Sequence, residues 1–382
     1  MQLGLFNLMT LRDHPDGAQG VMRDTRKMVE TADELGFDVA WFAEHHFANY
    51  SSSPSPLMMC SYAAGWTKRI KLGPGVIVLP LYNPLRVAQE IAVADTQTEG
   101  RLVIGLGTGY QRYEFDRYNI VLDDRVDVFL EYWDVIERAL VDGEVEYKGK
   151  YISLPKTSFA ISTQQKPLPP IFVTSSHPKL LDRFKKWKAV PFLAASTLGS
   201  PVLYKMVDGL NDAWTSIGEQ PSTKPLAIMQ YLAITDSRSE ALVVAERARY
   251  VGRMAHYLRQ ASPPLDDNSY ISNQTFEGEY TLDQYADNMV VGDPHAVAEK
   301  MVADIKRLNP SNYTCNFSFG CMPIELAHRS LVRFKNEVVP LIEKEVGPIE
   351  ARRDTQAGEK GELSGLNCSA NKLLGLQQRK GE

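Results

Sequence analysis

The chain is short of cysteine, of surplus positive charge and of long apolar runs, and each shortage excludes something. Only four cysteines occur in 382 residues, Cys60, Cys315, Cys321 and Cys368, and no two are spaced CxxC. That spacing argues against a zinc knuckle, and the scarcity suits a reducing, cytoplasmic setting. Lysine and arginine total 42 against 47 acidic residues, a net charge of −5. A nucleic acid or an anionic membrane is therefore not an expected partner. The opening residues, MQLGLFNLMTLRDH, show no basic segment followed by a long apolar one, so no signal peptide is expected. No uncharged apolar stretch approaches the roughly 18 residues needed to span a bilayer. What remains is ordinary globular composition, 44% hydrophobic and 23% charged, with ample chain for a large core.

What the chain does contain is a repeated order of strand and helix. Leu3 to Met9 reads as a buried strand, and residues 10–22 as a loop rich in Gly and Pro. Asp24 to Leu35 follows with Met28, Val29, Ala32 and Leu35 at helical spacing, and Gly36 ends it. A second strand, Phe37 to Phe42, runs into Glu44-His45-His46-Phe47. A helix through Met58 and Trp66 leads to a strand over Leu72–Leu79. Pro84 to Thr98 is the next helix. Leu102 to Gly107 is a strand opening into Thr108-Gly109-Tyr110, and Val126 to Leu140 is helical.

A β-hairpin is expected over 144–154, alternating about Lys148-Gly149. Further strands are expected at Ile171–Val173, Val190–Ala195, Pro225–Ile234 and Thr314–Phe319. Helices are expected after Pro178, over Pro201–Ile217 and Glu240–Leu258, from Pro294 to Leu308, and over Pro323–Glu343. Residues 261–290, rich in Pro, Asp, Asn and Ser, read as an irregular insertion or lid. Residues 347–382 read as a loosely ordered C-terminal tail and a possible arm onto a partner subunit.

Eight strands alternating with helices, undivided by any linker, predict an α/β fold of the TIM (β/α)8 barrel type over residues 1–346. A doubly wound sheet is the alternative. It requires a GxGxxG turn after the first strand, and Leu5–Met9 offers none.

In a barrel the strand ends share one face. That gathers Glu44, His45 and His46 with Gly75-Val76, Thr108, Tyr110 and Thr174-Ser175-Ser176. A glutamate and two histidines at a strand end are costly unless they hydrogen-bond or do chemistry. A pair of satisfied core histidines is the plain alternative. The Thr-Ser-Ser turn offers hydroxyls and backbone N–H groups to a phosphate, or is an ordinary helix cap. Arg86 and Glu90 are an i,i+4 surface pair or part of an interface.

From Gly36 to Phe115 the sequence resembles the bacterial luciferase-like family of flavin-dependent monooxygenases. The matching pieces are Ala43-Glu-His-His-Phe47, Gly73-Pro-Gly-Val-Ile-Val-Leu-Pro80 with Asn83-Pro84, Glu99-Gly-Arg-Leu102, Gly105-Leu-Gly-Thr-Gly-Tyr110 and Glu114-Phe115. Val173-Thr-Ser-Ser176 and Val291-Gly-Asp-Pro294 with Ala298-Glu-Lys300 extend the likeness over most of residues 1–345.

The resemblance implies a two-component enzyme taking reduced FMN (FMNH2) from a separate NAD(P)H:flavin reductase. Oxygen would add at flavin C4a, and the peroxyflavin would oxygenate a small organic substrate by hydroxylation or Baeyer–Villiger insertion. It implies His45 as catalytic base, with Glu44 orienting the histidines and His46 and Phe47 in support. It implies a non-prolyl cis peptide at Gly75-Val76 behind the flavin ring, flavin contacts from Thr108 and Tyr110, and phosphate contacts from Ser175 and Ser176. Thr108 stands where relatives often carry arginine, and Gly107 where luciferase itself has cysteine. Both differences argue against light emission. A homodimer or higher homo-oligomer is also implied. The alternatives are an F420-dependent oxidoreductase on the same barrel and a non-catalytic flavin-binding partner subunit.

Overall fold

The computed structural model describes residues 1–351, so most of the expected tail, residues 352–382, lies outside the described residues. The strands in chain order are β1 (Gln2–Asn7), β2 (Val39–Phe42), β3 (Lys71–Pro74), β4 (Ile77–Val78), β5 (Ile104–Gly107), β6 (Glu144–Lys148), β7 (Ser153–Ser158), β8 (Ile171–Val173), β9 (Val190–Ala194), β10 (Ala227–Ile234), β11 (Val290–Gly292) and β12 (Asn312–Ser318). The helices are α1 (Gly17–Glu34), α2 (Pro56–Ala64), α3 (Pro84–Gln97), α4 (Arg112–Arg117), α5 (Arg125–Val141), α6 (Pro178–Phe184), α7 (Ser200–Ser216), α8 (Arg238–Tyr257), α9 (Leu282–Asn288), α10 (Pro294–Leu308), α11 (Ile324–Arg333) and α12 (Val339–Val346).

The main sheet runs β3-β2-β1-β12-β10-β9-β8-β5-β4, and the pairings along it are parallel. Its two end strands, β3 and β4, are halves of one stretch of chain interrupted at Gly75-Val76. The path therefore returns on itself. Backbone bonds from Leu72 N–H to the Arg101 carbonyl and from Val103 N–H to the Leu72 carbonyl, each 3.0 Å, bring β3 alongside the chain entering β5. Counting β3 and β4 as one stave, this is the expected (β/α)8 barrel.

The barrel interior is filled, as a barrel of this size requires. Trp41 of β2 lies 4.9 Å from Phe172 and 5.2 Å from Phe192, ring centre to ring centre. Two glycines of neighbouring strands allow close approach here. A Cβ on Gly73 would fall 2.7 Å from the Trp41 ring, and one on Gly105 would fall 2.1 Å from the Pro74 carbonyl oxygen.

Four expectations need adjustment. Helix α1 begins at Gly17, not Asp24. The glycines that read as loop signals serve two ends: Gly17 starts the helix with φ 55°, and a Cβ on Gly20 would fall within 2 Å of the His14 ring. The short helix α4 was not expected; six residues are too few to show a period. The hairpin extends to Ser158, past a bulge between Val145 and Tyr147. Its turn is held by the Glu131 carboxylate, which accepts the N–H groups of Lys150, Tyr151 and Ile152 at 3.0, 2.8 and 2.8 Å.

The insertion expected to be irregular through residue 290 contains α9. Thr281 and Gln284 start that helix with a reciprocal capping box. The segment ends in β11, which pairs with β10 outside the closed path. Lys300 of α10 fastens this exit: its ammonium donates to the carbonyls of Asp287, Met289 and Val291 at 3.0, 2.7 and 3.3 Å. No helix among the described residues is long and apolar enough to cross a membrane.

Gly105→Ala places a methyl group against a backbone carbonyl that has no rotamer to escape into. It is expected to destabilise the fold by about 1–3 kcal/mol, the usual cost of overpacking. An unchanged denaturant midpoint for this variant would show that β3 and β5 are not in close contact here.

Candidate active site

A cavity of about 740 Å³ opens at the carboxyl ends of the barrel strands. That is where barrel enzymes place their chemistry, and the volume is that of a small-molecule site. Four of the six expected flavin-contact residues line it: Gly75, Val76, Thr108 and Tyr110. Glu44 and His45 line it as well. His46, Phe47, Ser175 and Ser176 do not, although Thr174 beside the serines does.

The Glu-His-His stretch leaves β2 and is fixed from two directions. Glu114 of α4 is 2% exposed. Its Oε1 accepts from the His46 N–H at 2.9 Å and lies 3.0 Å from His45 Nδ1. A carboxylate at that distance calls for the proton on Nδ1. The neutral ring of His45 then presents Nε2 as a lone pair, and among the described residues nothing bonds to it. Tyr50 packs edge-on against this imidazole, 4.5 Å between ring centres. The His45 side chain keeps 14% of its surface accessible.

Glu44 and His46 form a second, deeper pair. Their Oε1 and Nε2 atoms are 2.9 Å apart, and the Tyr118 hydroxyl lies 2.9 Å from His46 Nδ1. The other oxygen of Glu44 accepts the Val78 N–H at 3.2 Å. Burial pushes the Glu44 carboxyl above the usual range, opposed by His46, the Val78 N–H and Tyr82. Burial likewise raises the Tyr50 phenol. The deep pair ties the end of β2 to β4, immediately after Gly75-Val76. Phe47 turns away in a left-handed conformation, φ 57°, and its half-exposed ring lies 5.2 Å from Tyr118.

One wall is built from small residues. The Gly75-Val76 peptide is cis. A Cβ on Gly107 would stand 2.5 Å from Val76 Cγ2 and 2.9 Å from Thr174 Oγ1, and one on Gly75 would stand 3.0 Å from the Phe6 ring. Any larger residue at Gly107 would collide with Val76. This flat, close-backed wall fits a planar ring system. Ser175 Oγ accepts the His177 N–H at 3.1 Å, and His177 in turn caps the seven-residue α6. Ser176 is exposed at the same turn.

Four side chains at the site had no role in the sequence reading. Glu114 stood inside a motif, but nothing marked it as the partner of a histidine 69 positions away. Tyr118 follows it. Arg125 and Arg259 both line the cavity, and in sequence each looks like any surface arginine. Arg125 donates to the Leu122 carbonyl at 3.1 Å. Arg86 and Glu90 pair on the exposed side of α3 at 2.7 Å, away from the cavity.

Comparison with known proteins bears on the family and the fold. An uncharacterized protein of Sinorhizobium fredii, y4vJ, is 28% identical over 92% of this chain and all of its own. The oxygenase component of flavin-dependent trigonelline monooxygenase from Acinetobacter baylyi is 26% identical, covering 82% of this chain and 88% of the relative. The solved oxygenating constituent of 3,6-diketocamphane monooxygenase from Pseudomonas putida, a type II Baeyer–Villiger enzyme in complex with FMN, superposes with a TM-score of 0.67. It is 20% identical over 89% of this chain and 98% of its own. The profile of luciferase-like monooxygenases matches residues 1–309, and the chain belongs to that family.

Proposed function

We propose that this protein is the oxygenase component of a two-component flavin-dependent monooxygenase. It takes reduced FMN from a separate NAD(P)H:flavin reductase and uses O2 to oxygenate a small organic substrate. One observation carries the reading: His45 stands in the cavity wall with Nδ1 held by a buried carboxylate and Nε2 unengaged. The relative named as an oxygenase component and the FMN-bound neighbour support it.

The residues present fit the flavin. Gly75-Val76 and Gly107 give a flat backing, with Thr108 and Tyr110 beside it. Thr174, Ser175, Ser176 and Arg125 offer hydroxyls and a guanidinium for the phosphate. Reduced FMN, when bound, supplies the electrons with which O2 reacts.

The chain's own residues do the rest. The apolar walls, Phe6, Val76, Phe192 and Met229 among them, keep water from the reacting atoms. His45 accepts or returns a proton at Nε2, and Glu114 fixes the ring and stabilises it when charged. Glu114 is a positioning residue acting through His45. Glu44 and His46 hold the strand end that carries both.

Mixing the protein and reduced FMN with oxygenated buffer is expected to give a transient absorbance distinct from both reduced and oxidised flavin. Immediate oxidation with release of hydrogen peroxide at the free-flavin rate would overturn the reading. His45→Ala is expected to shorten that transient about tenfold or more. Its FMN affinity, followed by flavin fluorescence, should stay near that of the parent. Glu114→Ala is expected to shorten the transient as well. Glu114→Gln, whose carbonyl still accepts from the His45 ring, should restore most of it. A glutamine variant as impaired as the alanine variant would remove the positioning role from Glu114.

A further inference from the structure

The strongly cationic groups of helix α8 and its exit are of two kinds. Arg247 pairs with Asp13 at 3.0 Å. Arg253 pairs with Glu279 and also donates to Asn273. Arg259, six residues further on and just past the end of α8, has no carboxylate partner among the described residues, and no side-chain hydrogen bond. It lines the cavity. Its guanidinium lies 5.6 Å from the centre of the Tyr110 ring.

The Arg259 side chain is exposed at the rim of the cavity, and the backbone beside it is anchored. The Leu258 carbonyl beside it accepts the Tyr113 N–H at 3.2 Å, which ties the end of α8 to the turn carrying Tyr110. A guanidinium at a cavity rim, beside a ring and without an anion, is suited to recognise a planar anion, because its donors match a carboxylate in bidentate fashion.

The surroundings say what else the ligand carries. Tyr110 lies beside Arg259, and Tyr50 packs against His45. His256 stacks on Phe276 at 4.1 Å, nearly parallel, on the same cavity wall. Aromatic side chains favour a flat, apolar ligand body, and their stacking adds to what burial alone contributes. The cavity's carboxylates are not free to serve a cation: Glu44 is engaged by His46 and Val78, and Glu114 by His45 and His46. The second guanidinium, Arg125, belongs to another part of the wall. Its partner Leu122 packs, as Val76 does, against the cluster of Val78, Leu81 and Phe115, on the side assigned above to the flavin.

We propose that Arg259 binds a carboxylate of the substrate, so that the enzyme oxygenates small aromatic carboxylates. The ring would lie along Tyr110 and Tyr50, bringing it toward His45. This rests on the monooxygenase reading for the reaction, but not for the binding, which needs no flavin and no turnover.

The test uses two probes of the same shape, benzoate and benzamide, titrated into the full-length, flavin-free protein and followed by calorimetry. Benzoate is expected to bind the parent protein at least tenfold more tightly than benzamide. Arg259→Gln is expected to remove that preference, weakening benzoate about tenfold or more and leaving benzamide unchanged. Arg259→Lys should recover part of it, since a point charge lacks the fork geometry. FMN titration of Arg259→Gln should match the parent.

Equal binding of the two probes by the parent, no benzoate binding at all, or a benzoate affinity indifferent to Arg259 would each overturn the proposal. Loss of FMN binding in Arg259→Gln would also overturn it, assigning the guanidinium to the cofactor. Failure of the oxygen experiment with the benzoate preference intact would remove the monooxygenase reading and leave the carboxylate site standing.

Discussion

The site depends on two buried carboxylates holding two adjacent histidines. Glu114 accepts from the backbone of His46 and the ring of His45, and Glu44 reaches the ring of His46 and the backbone of β4. Buried carboxylates are tolerated only where their oxygens are engaged, and here each is engaged by a group that needs to be placed. Removing either would leave unpaired polar atoms in the wall of the barrel mouth. The pairing therefore explains at once why the charged groups are stable there and why His45 is oriented.

The barrel's shape follows from a second constraint, the bulk of Trp41. Its ring packs against Phe172 and Phe192 across the interior, and Gly73 beside it on the neighbouring strand leaves the ring its room, while Gly105 lets β5 approach the Pro74 carbonyl. The same economy of side chains at Gly75 and Gly107 produces the flat wall above it. Packing at the barrel floor and shape at the ligand wall are thus two levels of one arrangement of small and large residues.

Much of this was legible in the sequence. Strands such as Phe37–Phe42 and Pro225–Ile234 are apolar runs with clear stops, and their alternation with helices led to the eight-stave barrel. The Glu44-His45-His46 loop announced itself by placing ionisable groups after a buried strand. Other features left no local trace. Helix α4 is too short for a period, so Glu114 could not be placed opposite His45. The start of α1 was hidden because glycine serves both loops and close contacts. Helix α9 was masked by the polar residues around it, although Thr281 and Gln284 are a capping pair. Arg259 looks like any solvated residue at a helix end, because the lack of a counter-ion is a property of three-dimensional neighbours.

The long segment after α8 has a further consequence. It is stitched to α8 itself: Arg253 grips Glu279 and Asn273, the Tyr257 hydroxyl donates to the Thr275 carbonyl, and Phe276 stacks on His256. It also reaches the loop beyond β2, where Asn49 accepts the Ile271 N–H. The cavity-lining residues Phe276 and His256 thus belong to one bonded network. A displacement of the segment that carries Phe276 would therefore be felt at His256 and along α8 as well.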